Sequence, residues 1–331
     1  AVLATDAAVA RFSPIEKPLR VARAANLPDY EAMYRHVSWD RLRIELLDRS
    51  DDRMNMAALA IDRHAKLTPD KLALRFIDAQ FERTDLTYDA LLRSANRFAN
   101  LLCSVNIEAG VVVASLLGRC PELYATVLGT LKCGAVFTPL FSAFGPEPVR
   151  SRLELASARV LVTTQKFYER KVAPIRDGLP SLQQVFLVRE PSDAELPART
   201  QDLAQALAGL PDTFETVALN GDAPALLHFT SGTTGKPKGV MHVHAAVIAH
   251  HVTARLALDL RPQDVFWCTA DPGWVTGISY GVIAPLSCGV TLLIDREELD
   301  VERWYRLLAQ NAVNVWYTAP TAIRMLMKAG I

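Results

Sequence analysis

From Leu86 onward, short β-branched or aliphatic runs alternate with amphipathic stretches, and that alternation leaves very few architectures open. Val111 to Leu117 is an apolar run of strand length. Pro121 stands where the first turn of a helix tolerates a missing N–H, and Gly134 closes that helix before "AVFTPL". The unit is strand, helix, strand. It recurs with "GPEPVRSRLELAS" as helix and "ARVLVTT" as strand, then with a helix around 167–175 and "QVFLV" as strand. Parallel neighbours need such crossovers, and the crossover helices cover both faces of the sheet. The expected fold class is α/β, with stacked, mostly parallel sheets and flanking helices.

Four segments follow from this pattern. Residues 1–85 are less regular, and Tyr30, Tyr34 and Trp39 are expected to pack that segment against the body. Residues 86–190 form a first α/β subdomain. Residues 191–223 are polar and proline-punctuated, a connection with one helix at Gln201 to Ala208. Residues 224–331 form a second α/β subdomain. It opens on "ALLHF", runs through a glycine loop to a helix near His244, and continues with "DVFWCTA", "VTLLI" and "VNVWYT" as strands. Helices are expected at about 278–286, 301–310 and 321–329. No internal repeat indicates a solenoid.

Half of the 331 residues are apolar, enough for a large core. Lysine plus arginine number 36, as do aspartate plus glutamate, and no basic run stands out; neither nucleic acid nor an anionic membrane is the indicated partner. A small molecule is. Cys103, Cys120, Cys133, Cys268 and Cys288 are scattered, odd in number and free of any CxxC pair, which reads as reduced core thiols of a cytoplasmic protein. The apolar run "VVVASLLG" is far short of the roughly 20 residues that span a bilayer.

The stretch "FTSGTTGKPKG", Phe229 to Gly239, holds four hydroxyl side chains, three glycines and two lysines. Glycine lets backbone N–H groups approach an anion closely, hydroxyls add donors and a lysine adds charge, so the loop suits a polyphosphate. It is not a Walker loop: Thr230 stands where the first glycine would fall, and Pro237 follows Lys236 where Ser or Thr is required. Five of the seven histidines, His228, His242, His244, His250 and His251, surround it. An HxH pair invites a metal reading, but no Cys or carboxylate stands at zinc-like spacing, so no metal site is expected.

In its residue order "TSGTTGKPKG" closely resembles the signature phosphate loop of the adenylate-forming superfamily, which includes acyl-CoA synthetases, luciferases and nonribosomal adenylation domains. "CTADPGWVTGISYGVIAPLSCG", "VNVWYTAPTAIRMLMKAG", "FSAFGPEPVRSRLELASARVLVTT", "LTYDALLRSANRFANLL" and "NLPDYEAMYRHVSW" are similar to segments of short acetyl-CoA synthetases and their short-chain acyl relatives. The resemblance covers nearly the whole chain.

It implies two half-reactions: a carboxylate attacks the α-phosphate of ATP, with Mg2+ present, to give an acyl-adenylate and pyrophosphate, and coenzyme A then displaces AMP. It implies that Thr230, Ser231, Gly232, Thr233, Thr234, Gly235 and Lys238 hold the phosphates, with Lys236 open between that role and a solvated charge. Trp274, Val275 and Thr276 match positions that line the acyl pocket, where a bulky indole would shorten it. Thr318, Ala319, Pro320 and Thr321 match the block that approaches substrate and nucleotide, Pro320 alternatively only starting a helix. His244 either approaches the substrate or starts its helix. Lys166, Arg170 and Lys171 form a basic face, with Arg170 and Lys171 near where the family meets the CoA phosphate; a solvated helix face is the competing reading. The resemblance further implies a partial β-barrel. It also implies that the chain corresponds to most of the large N-terminal domain without the small C-terminal domain that carries the adenylation lysine, and so is inactive or nearly inactive alone. The expected acid is acetate, then propionate. A medium-chain or aryl CoA ligase, an adenylation domain loading a carrier protein, and a non-catalytic nucleotide-binding homologue remain as alternatives.

Overall fold

The alternating pattern becomes fourteen strands in the computed structural model, which describes residues 24–47, 53–193, 195–230 and 237–329. They are β1 (Arg53–Met54), β2 (Leu72–Ile77), β3 (Arg83–Thr87), β4 (Val112–Leu116), β5 (Val136–Pro139), β6 (Val160–Thr164), β7 (Gln184–Val188), β8 (Gln201–Asp202), β9 (Leu219–Asn220), β10 (Pro224–Thr230), β11 (Lys238–Val243), β12 (Val265–Cys268), β13 (Thr291–Asp295) and β14 (Val315–Tyr317). Seven form one sheet in the order β11-β10-β5-β4-β6-β7-β8, and five form another in the order β14-β12-β13-β2-β3. Within the first sheet only the β10–β11 pair is antiparallel, and within the second only β2–β3. The α/β class with mostly parallel sheets is as expected. The one remaining sheet among the described residues is the two-stranded β1–β9 ribbon, not the partial barrel that the resemblance implies.

Local sequence explains the element ends. Pro121 opens the helix Pro121–Lys132, and Gly134, at φ +78°, turns the chain out of it into β5. The Thr87 hydroxyl accepts from the Ala90 N–H at 3.1 Å to start the helix Tyr88–Ser104, and the Asp300 carboxylate accepts from the Arg303 N–H at 2.8 Å to start Val301–Gln310.

Sheet membership crosses the segment boundaries read from the sequence. β2, inside the segment expected to be irregular, and β3, which crosses its end, complete the second sheet because Leu74 and Phe76 of β2 bury against its core. β10 and β11 leave the 224–331 segment to extend the first sheet beside β5. β11 was not expected at all, and four of its six residues are exposed, so no apolar run announces it. The Gln201 to Ala208 helix is shorter, Leu203–Leu207, behind the short strand β8. One continuous core takes Leu292 and Ile294 from the second sheet and Val113, Phe137 and Phe186 from the first. Phe98, Leu102, Val127 and Leu131 of the two long helices lie in that same core. Those helices are a layer shared by both sheets.

Two further expectations fail. Tyr30, Tyr34 and Trp39 do not pack on the body: they are 64%, 70% and 58% exposed, the two tyrosines stacking on each other at 6.1 Å. Cys103 is exposed rather than a core thiol, although all five cysteines are free.

One of the ties that hold the 191–223 connection to the body is a buried charge. The ammonium of Lys132, 1% exposed, donates to Asp62 Oδ1 at 2.6 Å and to Thr216 Oγ1 at 2.5 Å, while the Thr216 hydroxyl donates to Asp62 Oδ2 at 2.5 Å. Removing the cation leaves the partly buried Asp62 carboxylate with the Thr216 hydroxyl but no countercharge. Lys132→Met is therefore expected to cost about 2–3 kcal/mol in denaturant unfolding, below the full buried-pair penalty because Asp62 keeps some solvent. A loss under about 0.5 kcal/mol would show that the connection is held by something else.

Candidate functional site

In parallel sheets, ligands sit outside the carboxyl ends of the strands. Here the carboxyl ends of β4, β5, β12 and β14 deliver Arg119, Phe141, Ser142, Thr269, Tyr317 and Thr318 to the wall of one cleft, about 610 Å³ in volume. The size lies within the roughly 300–1,000 Å³ of small-molecule sites. Asp271, Trp274, Thr276, Glu298, Ala319 and Pro320 line it too, with Ala143 and Ala270.

The "DPGWVTG" segment is built by close backbone approach. A Cβ on Gly273 would lie 2.2 Å from Phe141 Cα, and one on Gly277 would lie 2.0 Å from the Asp271 carbonyl oxygen. The Asp271 carboxylate folds the turn by accepting from the Gly273 N–H at 2.7 Å, and it reaches across the cleft to accept from the Ser142 hydroxyl at 3.2 Å. Burial raises its pKa; the Gly273 N–H, the nearby Arg119 charge and the Ser142 hydroxyl pull the other way.

Trp274 lies 5.3 Å from Phe141, ring to ring, and is 46% exposed. It is on the rim and does not by itself close the floor of the cleft. Thr276 lines the wall, whereas Val275 is exposed and does not. The Thr318 hydroxyl is 2.7 Å from the Thr269 hydroxyl. Ala319 and Pro320 line the cleft, and Pro320 also opens the helix Pro320–Lys328; Thr321 is exposed and off the wall.

Of the phosphate-loop residues, Ser231, Gly232, Thr233, Thr234, Gly235 and Lys236 lie outside the described residues. Thr230 and Lys238 face each other in the β10–β11 register at the mouth of that hairpin, away from the wall of the cleft. Lys166 and Arg170 are exposed, as a solvated face would be. Lys171 is engaged: its ammonium donates to the Ser142 carbonyl and sits 4.3 Å over the Phe167 ring.

The histidines are packing groups. His244 is fully buried and its Nδ1 accepts from the Met56 N–H at 3.0 Å, tying the N-terminal segment to the end of β11. His228 and His242 pack edge to face at 5.2 Å, and His250 lies 6.2 Å beyond. Burial, aided by the neighbouring imidazoles, pushes His228 down to about 3. Among the described residues no cluster of His, Cys, Asp or Glu is arranged to hold a metal ion, and no helix is long and apolar enough to cross a membrane.

Sequence reasoning missed Arg119, Ser142, Asp271 as a turn-former, and Glu298. Arg119 carried a usable signal: a cation just past the carboxyl end of a buried parallel strand, two residues before a helix begins.

Two open, mostly parallel sheets with a cleft at the carboxyl ends of their strands place the chain in the α/β class. The sequence pattern of the AMP-binding enzyme family matches residues 61–331, and the chain belongs to that family. It is 41% identical over 307 residues to an acetyl-coenzyme A synthetase of Bacillus subtilis, a match covering 92% of this chain and 53% of that protein. It is 34% identical over 342 residues to an acetyl-coenzyme A synthetase of Methanothrix thermoacetophila, covering 95% and 52%. The crystal structure of a Brucella canis acyl-CoA synthetase superimposes with a TM-score of 0.83 at 31% identity, covering 91% of this chain and 54% of that one. The chain thus spans about half the length of the relatives it matches.

Proposed function

We propose that this chain is the acid- and nucleotide-binding part of an ATP-dependent acid–CoA ligase that activates acetate or another short-chain carboxylate. The carboxylate oxygen forms a bond to the α-phosphorus as the bond to pyrophosphate breaks; the CoA sulfur then forms a thioester at the acyl carbon as AMP leaves. The observation that carries this reading is one cleft that gathers Trp274 and Thr276 with Thr318, Ala319 and Pro320 in a chain of the AMP-binding enzyme family. The hairpin from Thr230 to Lys238 is assigned to the departing phosphates, where N–H groups, hydroxyls and a lysine offset developing charge. Among the described residues nothing would hold Mg2+ by itself, so a magnesium ion belongs with the nucleotide's phosphates. Arg170 is retained as a CoA contact. Lys171 is not free for one while it holds the Ser142 carbonyl.

A longer or aromatic acid is favoured by one observation, the half-exposed Trp274, which leaves the cleft open beyond it. The test is AMP release by the protein at the length of its relatives, with ATP, Mg2+ and CoA, across acetate, propionate, butyrate, octanoate and benzoate. A maximum at acetate or propionate is expected. A maximum at octanoate or benzoate keeps the ligase chemistry and overturns the short pocket. Silence on every acid moves carrier-protein loading or nucleotide binding alone to the front. Residues 1–331 alone are expected to show no turnover, since half of the relatives' length is outside them.

A further inference from the structure

Among the described residues, Arg119 alone lines the cleft and both smaller voids beside it, of about 160 Å³ and 20 Å³. It follows β4 of the first sheet, and its guanidinium donates to the carbonyl of Thr269, which follows β12 of the second, at 2.8 Å. Thr269 in turn holds Thr318 through their hydroxyls at 2.7 Å and donates its N–H to the Tyr317 carbonyl at 3.1 Å. A guanidinium carries five N–H donors. Among the described residues the Thr269 carbonyl is the only acceptor at hydrogen-bonding distance, and no carboxylate lies within ion-pair distance. Asp271, on the same wall, is already taken up by the Gly273 N–H and the Ser142 hydroxyl. Glu298 is exposed to solvent. A half-buried cation with donors to spare in a cleft wall is built for an anion.

We propose that Arg119 binds the carboxylate of the acid substrate before adenylation. This rests on the ligase reading above and adds to it the residue that orients the attacking group. A carboxylate is favoured over a phosphate because Arg119 shares its cleft with Trp274 and Thr276, while Thr230 and Lys238 of the phosphate hairpin are off that wall. The planar fork of guanidinium matches the two carboxylate oxygens, which a lysine cannot do. The carboxylate loses charge as it attacks phosphorus, so Arg119 binds the ground state at least as well as the transition state. Its removal should raise KM for the acid and leave kcat nearly unchanged.

The experiment uses Arg119→Met and Arg119→Lys in the protein at the length of its relatives. It measures KM for acetate and for ATP separately, the melting temperature, and the thermal shift given by acetate alone. Arg119→Met is expected to raise KM for acetate roughly ten- to a hundredfold with KM for ATP within about twofold, and Arg119→Lys to lie between. An unchanged acetate KM, or an ATP KM rising equally, overturns the assignment, the second outcome marking a phosphate contact. A lower melting temperature with both constants moving together marks a bridge between the sheets and nothing more. If the unmutated protein turns over no acid, an acetate-induced thermal shift lost in Arg119→Met still supports the anchor while the ligase reading fails. No shift in the unmutated protein overturns the anchor as well.

Discussion

Gly277→Ala is expected to destabilise the protein by about 3 kcal/mol and to lower acid-dependent AMP release at least roughly a hundredfold. The methyl group would sit 2.0 Å from the Asp271 carbonyl oxygen, 2.5 Å from its carbon and 2.7 Å from Pro272 Cα. All three are backbone atoms of the turn that presents Trp274 and Thr276, and a backbone cannot swing aside as a side-chain end can. The turn must open, which breaks the Asp271 bonds to Gly273 and Ser142 and displaces the cleft wall. Gly281→Ala is the control: its Cβ meets only Cys268, at 3.8 Å, an ordinary contact, so stability and activity should stay close to the starting protein. Equal melting temperatures for the two variants would mean that the turn relaxes at no cost, and the account of "DPGWVTG" as a close-approach motif would fall.

The second large effect is acid unfolding. Burial holds His64, His244, His250 and His251 down to about 4 and His228 to about 3, all below the ordinary 6.5. The folded state therefore binds fewer protons than the unfolded chain in the window between about pH 6.5 and 4. Stability is fully present above pH 6.5 and is lost as pH falls through that window. At pH 5.5 each such histidine costs about 1.4 kcal/mol, and the five together about 7 kcal/mol, comparable to the whole stability of an ordinary domain. Unfolding followed by circular dichroism from pH 8 downward should have its midpoint between about pH 5 and 6 and take up several protons. His250→Phe should reduce that uptake by about one. A native signal persisting to about pH 4 would contradict the linkage.

How much of this was legible depends on the distance over which each fact is decided. β4, β6, β7, β12, β13 and the helices Pro146–Leu155 and Val301–Gln310 stand where the apolar periodicity and capping residues put them. β11 did not, because an edge strand with four exposed residues has no apolar face to show. Tyr30, Tyr34 and Trp39 misled because aromatic character implies burial only when a partner surface is available. At the site, Trp274, Thr276, Thr318, Ala319 and Pro320 were legible from ordered motifs. Arg119 belongs to no motif, and Ser142, although it lies in the "FSAFGPEP" segment, is a functional candidate only through Asp271 far along the chain.

The α/β class and the positions of most strands and helices were fixed locally, since hydrophobic period and helix caps are properties of a few consecutive residues. Which strands share a sheet, and which side chains share the cleft, was settled by long-range packing, as was the close approach of Gly273 to Phe141. Arg119 meets Thr269 across 150 positions and Ser142 meets Asp271 across 129. Such contacts follow from strand pairing and helix packing around one core, and local order does not encode which distant partner will bury a given face.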